Sequence, residues 1–310
     1  MDSREKKEEA IGIFDSGVGG ISVLKELQKE MPYENFIFYG DQKNAPYGEK
    51  SGDEVRTLSL EAYLFLQKKK VKATVIACNT ATSAAARFLR ERFSDEIIIG
   101  MEPAVKPAAL FQEKNTAEED CREENQCREG KSEIDECQKD ESQKDESQKD
   151  EAQKETVKKR ILVMATESTL KGDKLHHLIE SLKEQGEYIL LPAPGIVRLL
   201  EEGKGHGEEM RTYLKELLSP YKKGSISSIV LGCTHFPFVK KEIMEALGYT
   251  VPFFDGAKGT ARETRHRLAE KGLLRNELHD ADRGTSNPSV ELYSSTGDSS
   301  LLETFYRLPI

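Results

Sequence analysis

Apolar positions along the chain follow two alternating patterns. Short, nearly continuous apolar runs at 10–14, 35–39, 73–77, 97–100, 160–165, 188–191 and 226–231 predict strands. Between them, apolar residues return every three or four positions at 21–31, 57–67, 84–93, 174–185, 196–202, 208–218 and 239–247, which predicts helices. In 174–185 the stripe is explicit: Leu175, Leu178, Ile179 and Leu182 share one face. Strands that are apolar throughout belong in a sheet covered on both sides, and regular strand–helix alternation predicts a mainly parallel α/β architecture. The pattern runs both before and after a break, and a two-domain arrangement is the expected one. A (β/α)₈ barrel is the competing arrangement at this length.

The break is residues 112–158. A pentapeptide repeats there from Gln138, Gln143 and Gln148, and apolar residues are nearly absent. Such a segment cannot bury enough surface to offset its ordering entropy, so it is expected to be a disordered or loosely helical acidic insertion. It also explains the charge. The chain of 310 residues has a formal net charge of −9, and residues 112–155 alone hold 17 acidic against 8 basic side chains. The remainder is near neutral, and it has no basic stripe with interleaved aromatics, so nucleic acid is not an expected partner.

Composition adds limits. Hydrophobic residues make up 37% and charged residues 33%, and no apolar run approaches the ~18–20 residues that span a bilayer. The N-terminus is charged and lacks the apolar stretch of a secretory signal, which leaves a cytoplasmic location and no membrane contact as the expectation. Five cysteines, an odd number without framework spacing, suit a reducing compartment. Cys121, Cys127 and Cys137 fall in the insertion, at spacings unlike those of a zinc site.

The other two cysteines carry the chemistry. Cys78 closes the run Thr74-Val75-Ile76-Ala77 and is followed by Asn79 and Thr80; Cys233 closes Ser228-Ile229-Val230-Leu231-Gly232 and is followed by Thr234 and His235. Each thiol follows a strand and precedes polar side chains and a predicted helix, where functional groups of parallel sheets collect. One such cysteine is ordinarily an inert apolar residue. Two in matching frames, one per half, suggest thiols on opposite walls of one cleft, with helix N-termini lowering their pKa from the usual value of about 8.5. His235, two residues after Cys233 on an extended segment, returns to the thiol's side. The other five histidines (His176, His177, His206, His266 and His279) form no ligand pattern, and no metal is expected.

Asp15-Ser16-Gly17-Val18-Gly19-Gly20 joins the first strand to its helix. Its glycines permit close backbone approach, but Ser22 stands where a dinucleotide fingerprint needs glycine. As an ordinary tight turn it would need no Asp15, whose carboxylate is placed to orient an acid or base. Asp41 and the turn Pro46-Tyr47-Gly48 follow the second strand, where Tyr47 and the Gly48 amide are candidates to hold a carboxylate.

Taken in order, Asp15 to Gly20, Gly40-Asp41, Pro46-Tyr47-Gly48, Ala77 to Thr80 and Leu231 to His235 resemble the glutamate racemase family. Residues 160–169, Phe254-Asp255 and Ser295 to Asp298 are similar to the family's later segments, so the resemblance spans nearly the whole chain outside 112–158 and the N-terminal tail. It implies cofactor-independent interconversion of L- and D-glutamate, supplying D-glutamate for peptidoglycan, at a site between two pseudosymmetric α/β domains (1–101 plus 255–310, and 102–254). It implies Cys78 and Cys233 as acid and base on opposite faces of the α-carbon, assisted by Asp15 and His235 respectively. Substrate would be held by Asp15, Ser16, Pro46, Tyr47, Gly48, Asn79, Thr80, Thr82, Thr166, Thr169, Thr234 and His235, with Asp41 and Glu201 as auxiliary acids. Family members often form homodimers, so the resemblance implies a homodimer as one possible assembly, with no interface legible in the chain. Thr82 replaces a usual serine, and Thr166 and Thr169 have unusual neighbours. An aspartate or hydantoin racemase, a cysteine hydrolase and a non-catalytic amino-acid-binding protein are the alternatives; the hydrolase leaves the second thiol frame unexplained.

Overall fold

The computed structural model describes residues 3–111, 159–275 and 288–310. The repeat segment 112–158, with its three cysteines and its expected disorder, lies outside the described residues. Met1–Ala109 and Lys159–Ile310 form one compact unit.

Its strands are β1 (Ala10–Asp15), β2 (Phe36–Gly40), β3 (Val71–Ile76), β4 (Ile98–Gly100), β5 (Lys159–Ala165), β6 (Gly186–Pro192), β7 (Ser228–Leu231), β8 (Phe253–Asp255) and β9 (Val290–Ser294). They form two open sheets, in the orders β4-β3-β1-β2-β9 and β6-β5-β7-β8. Every strand pair is parallel. Neither sheet closes on itself, so the barrel is excluded and the α/β class with parallel sheets stands.

The helices are α1 (Ser3–Glu8), α2 (Ile21–Glu30), α3 (Gly52–Lys68), α4 (Asn79–Arg92), α5 (Val105–Leu110), α6 (Glu167–Leu170), α7 (Asp173–Ser181), α8 (Pro194–Glu201), α9 (Glu208–Leu218), α10 (Lys240–Leu247), α11 (Ala257–Glu270) and α12 (Ser300–Arg307). Strands of the central positions are buried on both faces; β3 and β7 have no exposed residue. Around Phe14, Tyr63, Val71 and Leu89 one apolar cluster fills the space between the first sheet and α3 and α4. A second covers the second sheet on the side of α5 and α7. A third runs without interruption from Ile11 and Leu24 beside the first sheet to Met164, Leu231 and Phe236 beside the second. This shared core, continuous across the two sheets, holds the strand ends of both at the site described below.

Helix boundaries follow local chemistry. The sequence pattern starts α3 near residue 57, whereas the structure starts it at Gly52, because the Ser51 hydroxyl accepts the Glu54 amide as an N-cap. α8 begins with Pro194 in its first turn, where a missing N–H costs nothing. The elements β8, β9, α11 and α12 were not among those the apolar pattern predicts.

Candidate active site

The two thiols occupy equivalent places. β3 ends at Ile76 and β7 at Leu231, and each cysteine is the second residue beyond its strand. The residue before each thiol makes the same bond: the Ala77 amide donates to the Phe14 carbonyl (2.9 Å) and the Gly232 amide to the Met164 carbonyl (2.7 Å). Both bonds tie the chain to the neighbouring central strand, so each sheet carries its cysteine out by the same backbone route. Both thiols are free and buried.

They line one cavity, together with Ser16, Pro46, Tyr47, Gly48, Asn79, Thr80, Thr166, Thr169, Val197, Gly232, Thr234 and His235. Its volume is about 10 Å³, room for roughly one water. Pro46, Gly48, Thr166 and Val197 also border an adjoining cavity of about 620 Å³, which is therefore the route outward. As it stands, the space between the thiols is too small for a molecule the size of an amino acid.

The cavity is rich in donors. The Thr80, Thr166 and Thr169 hydroxyls lie 3.0–3.4 Å from one another, joining α4 to the end of β5. Asn79 is 4% exposed, and both atoms of its amide lack a hydrogen-bond partner. A buried amide left open in this way costs stability, and a ligand with a carboxylate or amine would satisfy it. Among the described residues no cluster of three or more His, Cys, Asp or Glu is disposed to hold a metal ion.

Around the thiols the charges are unequal. Cys78 caps α4, its sulfur accepting from the Ala81 amide at 3.4 Å. The helix terminus was expected to lower this thiol's pKa. Instead burial and then the nearby Asp15 carboxylate push it up to about 12, outweighing the Ala81 amide and the Ser16 hydroxyl. Cys233 has a different neighbour. His235 Nδ1 lies 3.7 Å from its sulfur, and His235 Nε2 lies 2.6 Å from Glu201 Oε1. Burial alone would depress the imidazole, but hydrogen bonds to Cys233 and Glu201 hold it well above the usual value. The route to this contact is not the extended segment the i, i+2 spacing suggested: His235 is helical in backbone (φ −75, ψ −32) and opens a 3-10 turn at Phe236–Val239.

Asp15 stands behind the cavity rather than in its lining. It accepts from the Gly17 amide (3.1 Å) and from the Thr234 hydroxyl (3.2 Å), so it links the first glycine turn to the second thiol's frame. Burial raises its carboxyl pKa, while the His235 charge pulls it down. Glu201 also accepts the Val18 amide at 2.8 Å. The glycines follow from these contacts. A Cβ at Gly17 would sit 1.8 Å from Glu201 Oε1, one at Gly19 would sit 2.3 Å from His235 Nδ1, and one at Gly20 2.5 Å from the Asp15 Cβ. The Gly-rich turn is thus a bed for acidic and imidazole side chains.

Other sequence candidates fall at different distances from the thiols. Asp41 accepts the Tyr47 hydroxyl (2.6 Å) and the Asn44 amide, so it anchors the Pro46-Tyr47-Gly48 turn from outside the cavity. Thr82 faces away: its hydroxyl donates to the Ile76 carbonyl and accepts the Met101 amide. The structure therefore gives Thr82 a backbone-bracing place rather than one in the lining. Two contributors carry no motif signal. Val197 lines the cavity from the apolar face of α8, and Ser22 donates to the Thr234 carbonyl at 3.0 Å. Ser22 was visible only as the residue that spoils a dinucleotide fingerprint.

No protein-family model matches the chain. Individual proteins do. The glutamate racemase of Clostridium perfringens strain SM101 is 41% identical over 302 residues, covering 97% of this chain and 96% of that protein. The glutamate racemase of Clostridium acetobutylicum is 39% identical over 302 residues, covering 97% and 98%. Among solved structures, glutamate racemase isoform RacE1 from Bacillus anthracis superposes with a TM-score of 0.67 at 27% identity, covering 96% of this chain and 92% of that one. Glutamate racemase from Francisella tularensis, solved with D-glutamate, gives a TM-score of 0.68 at 24% identity over 98% and 96%, a likeness of fold.

Proposed function

The chain belongs to the glutamate racemase family, and from that premise we propose that it interconverts L- and D-glutamate by a cofactor-independent transfer of the α-proton between two thiols, Cys78 and Cys233. One observation carries the proposal: two buried thiols, delivered by equivalent strands of two sheets, line a single cavity. Inversion at a carbon needs a base on one face and an acid on the other, and two thiols supply both.

The remaining groups take roles that suit their positions. Asn79, Thr80, Thr166, Thr169 and the Pro46-Tyr47-Gly48 turn would hold the carboxylates and amine, with Ser16 and Thr234 beside the thiols. Asp15 and the Glu201–His235 pair would set the charge at the two sulfurs, and Asp41 would hold Tyr47. D-Glutamate for peptidoglycan, made in the cytoplasm, is the product this activity would supply to a cell. Residues 1–101 with 255–310, and residues 102–254, would move as two domains to open the closed cavity.

The test is incubation of L-glutamate with the protein in D₂O without cofactor. Optical activity should fall, and α-deuterium should appear in the inverted product before it enters the remaining substrate. Simultaneous labelling of both pools would point to one base, and no exchange with glutamate would refute the activity. Aspartate in a parallel sample should exchange far more slowly. Cys78→Ala and Cys233→Ala should each abolish net inversion, and full activity in either would end the two-thiol assignment.

A further inference from the structure

Glu201 is the last residue of α8, in the turn of a helix whose carbonyls have no partners within it, yet it meets His235 Nε2 at 2.6 Å. His235 opens the 3-10 turn Phe236–Val239, which runs straight into α10. Beyond both residues the same two chain segments meet again: His206 Nδ1 lies 2.7 Å from Glu242 Oε1. The polarity is reversed. At the first contact α8 supplies the acid and the turn supplies the imidazole. At the second the segment after α8 supplies the imidazole and α10 supplies the acid. Neither His206 nor Glu242 lines the cavity.

The second contact is built to transmit position. Glu242 stands in the first turn of α10 and is 7% exposed. Its Oε2 has no hydrogen-bond partner among the described residues, so the carboxylate depends on His206 at Oε1. A buried carboxylate left without that bond is costly, which keeps the contact closed. Between Glu201 and His206 the chain folds hard onto the end of α8. The Glu202 amide donates to the Arg198 carbonyl (3.0 Å), the Gly203 amide to Leu200 (3.0 Å) and the Lys204 amide to Leu199 (2.7 Å). Gly203 takes a φ of +73°, and a Cβ at Gly205 would sit 2.5 Å from Leu200 Cδ2. A shift at His206 is therefore passed to the last turn of α8, which carries Glu201 and, one turn earlier, Val197 of the cavity wall.

We propose that His206 and Glu242 are positioning residues for racemisation: they clasp the end of α8 to the start of α10 and so hold Glu201 against His235. The contact needs only a proton on Nδ1, which the neutral and the charged imidazole can both carry. Its catalytic consequence rests on the two-thiol reading above, whereas its effect on the placement of His235 can be read without any reaction.

His206→Ala should lower kcat about tenfold or more with KM within about twofold, since the displaced group serves the chemistry rather than binding. His206→Asn keeps an amide donor near the place of Nδ1 and should restore kcat to within about threefold of wild type. NMR on protein with isotope-labelled histidine rings supplies the second readout. The His235 signals, identified by their loss in His235→Asn, should shift in His206→Ala and return in His206→Asn. If His206→Ala fails to fold, His206→Ala with Glu242→Leu takes its place, because it leaves no buried carboxylate stranded. A kcat within about twofold of wild type in the unclasped protein, unmoved His235 signals, or a loss that His206→Asn does not restore would each overturn the clasp. Wild-type protein that fails to racemise glutamate while its His235 signals respond to His206→Ala would refute the activity and leave the clasp standing.

Discussion

At the scale of single residues, the site depends on atoms that are missing. Gly17, Gly19 and Gly20 have none of the positive φ angles that usually make glycine obligatory; the positive-φ glycines described are Gly203, Gly224, Gly248, Gly272 and Gly297. They are needed because Glu201, His235 and Asp15 occupy the space where Cβ atoms would be. Gly19→Ala would place a methyl group 2.3 Å from His235 Nδ1, and both partners are buried, so the imidazole must move. Displacement of a positioned catalytic group by about 1 Å costs on the order of a hundredfold in rate. Gly19→Ala is therefore expected to lower kcat about a hundredfold with little change in KM, because Asn79, Thr80 and Thr166, the donors proposed to hold glutamate, are untouched. Steady-state kinetics on the purified variant checks this, and kcat within about threefold of wild type would show that His235 is not held by this contact.

Elements tell a second story, away from the chemistry. Lys72 of β3 is fully buried, yet its ammonium is satisfied by the Glu34 carboxylate, the Lys7 carbonyl (2.8 Å) and the Leu273 carbonyl (3.0 Å). The other Glu34 oxygen accepts the Arg275 amide at 2.9 Å. One ion pair thus joins the end of α1, the α2–β2 connection, the start of β3 and the segment after α11. Removing one partner of a buried pair strands the other, which costs about 3–5 kcal/mol. Lys72→Met should destabilise the protein by about that amount in urea unfolding, and Lys72→Met with Glu34→Gln should recover part of the loss. An unchanged midpoint in the single variant would show that water reaches Glu34. The same elements show what the sequence could reveal. Strands such as β3 and β7 were legible because they are apolar on both faces, and α7 because Leu175, Leu178, Ile179 and Leu182 make one stripe. α11 was not: its buried face is Ala257, Thr260, Ala261, Thr264 and Leu268, mostly small or hydroxylic residues that a hydrophobic period does not register. The Thr260 and Thr264 hydroxyls donate back to carbonyls one turn earlier, so they pass inward without an unmet polar group. β9 and α12 are short, with alternation or stripe over too few residues to stand out.

For the whole molecule, motif order was legible and mutual geometry was not. The frames of Cys78 and Cys233 announce a pair of thiols, and the motifs that resemble the family place Asp15, Asn79, Thr166 and His235 beside them. That Thr82 braces Met101, or that Ser22 ties α2 to Thr234, depends on how the two sheets pack, which no local pattern encodes. The acidic repeat is the largest feature still without a place in this scheme, and its roots make it separable. Lys159 Nζ donates to the Ala109 carbonyl at 3.1 Å, so the chain leaves the compact unit and returns to it at neighbouring points. No site residue lies between those points. Loop-closure entropy changes only by about 0.6 kcal/mol for each halving of length, so excision should cost the fold little. Deleting residues 115–155 should leave a folded protein with kcat and KM within about twofold of the full chain and a thermal midpoint shifted by no more than about 3 °C. The same deletion removes an excess of acid equal to the whole formal charge of −9, so the shortened chain should be less soluble near neutral pH. Activity assays, differential scanning calorimetry and precipitation curves on both chains check the three outcomes together. Loss of activity with an unchanged midpoint would assign the insertion a part in opening or closing the cavity, and loss of folded protein would make it part of the core.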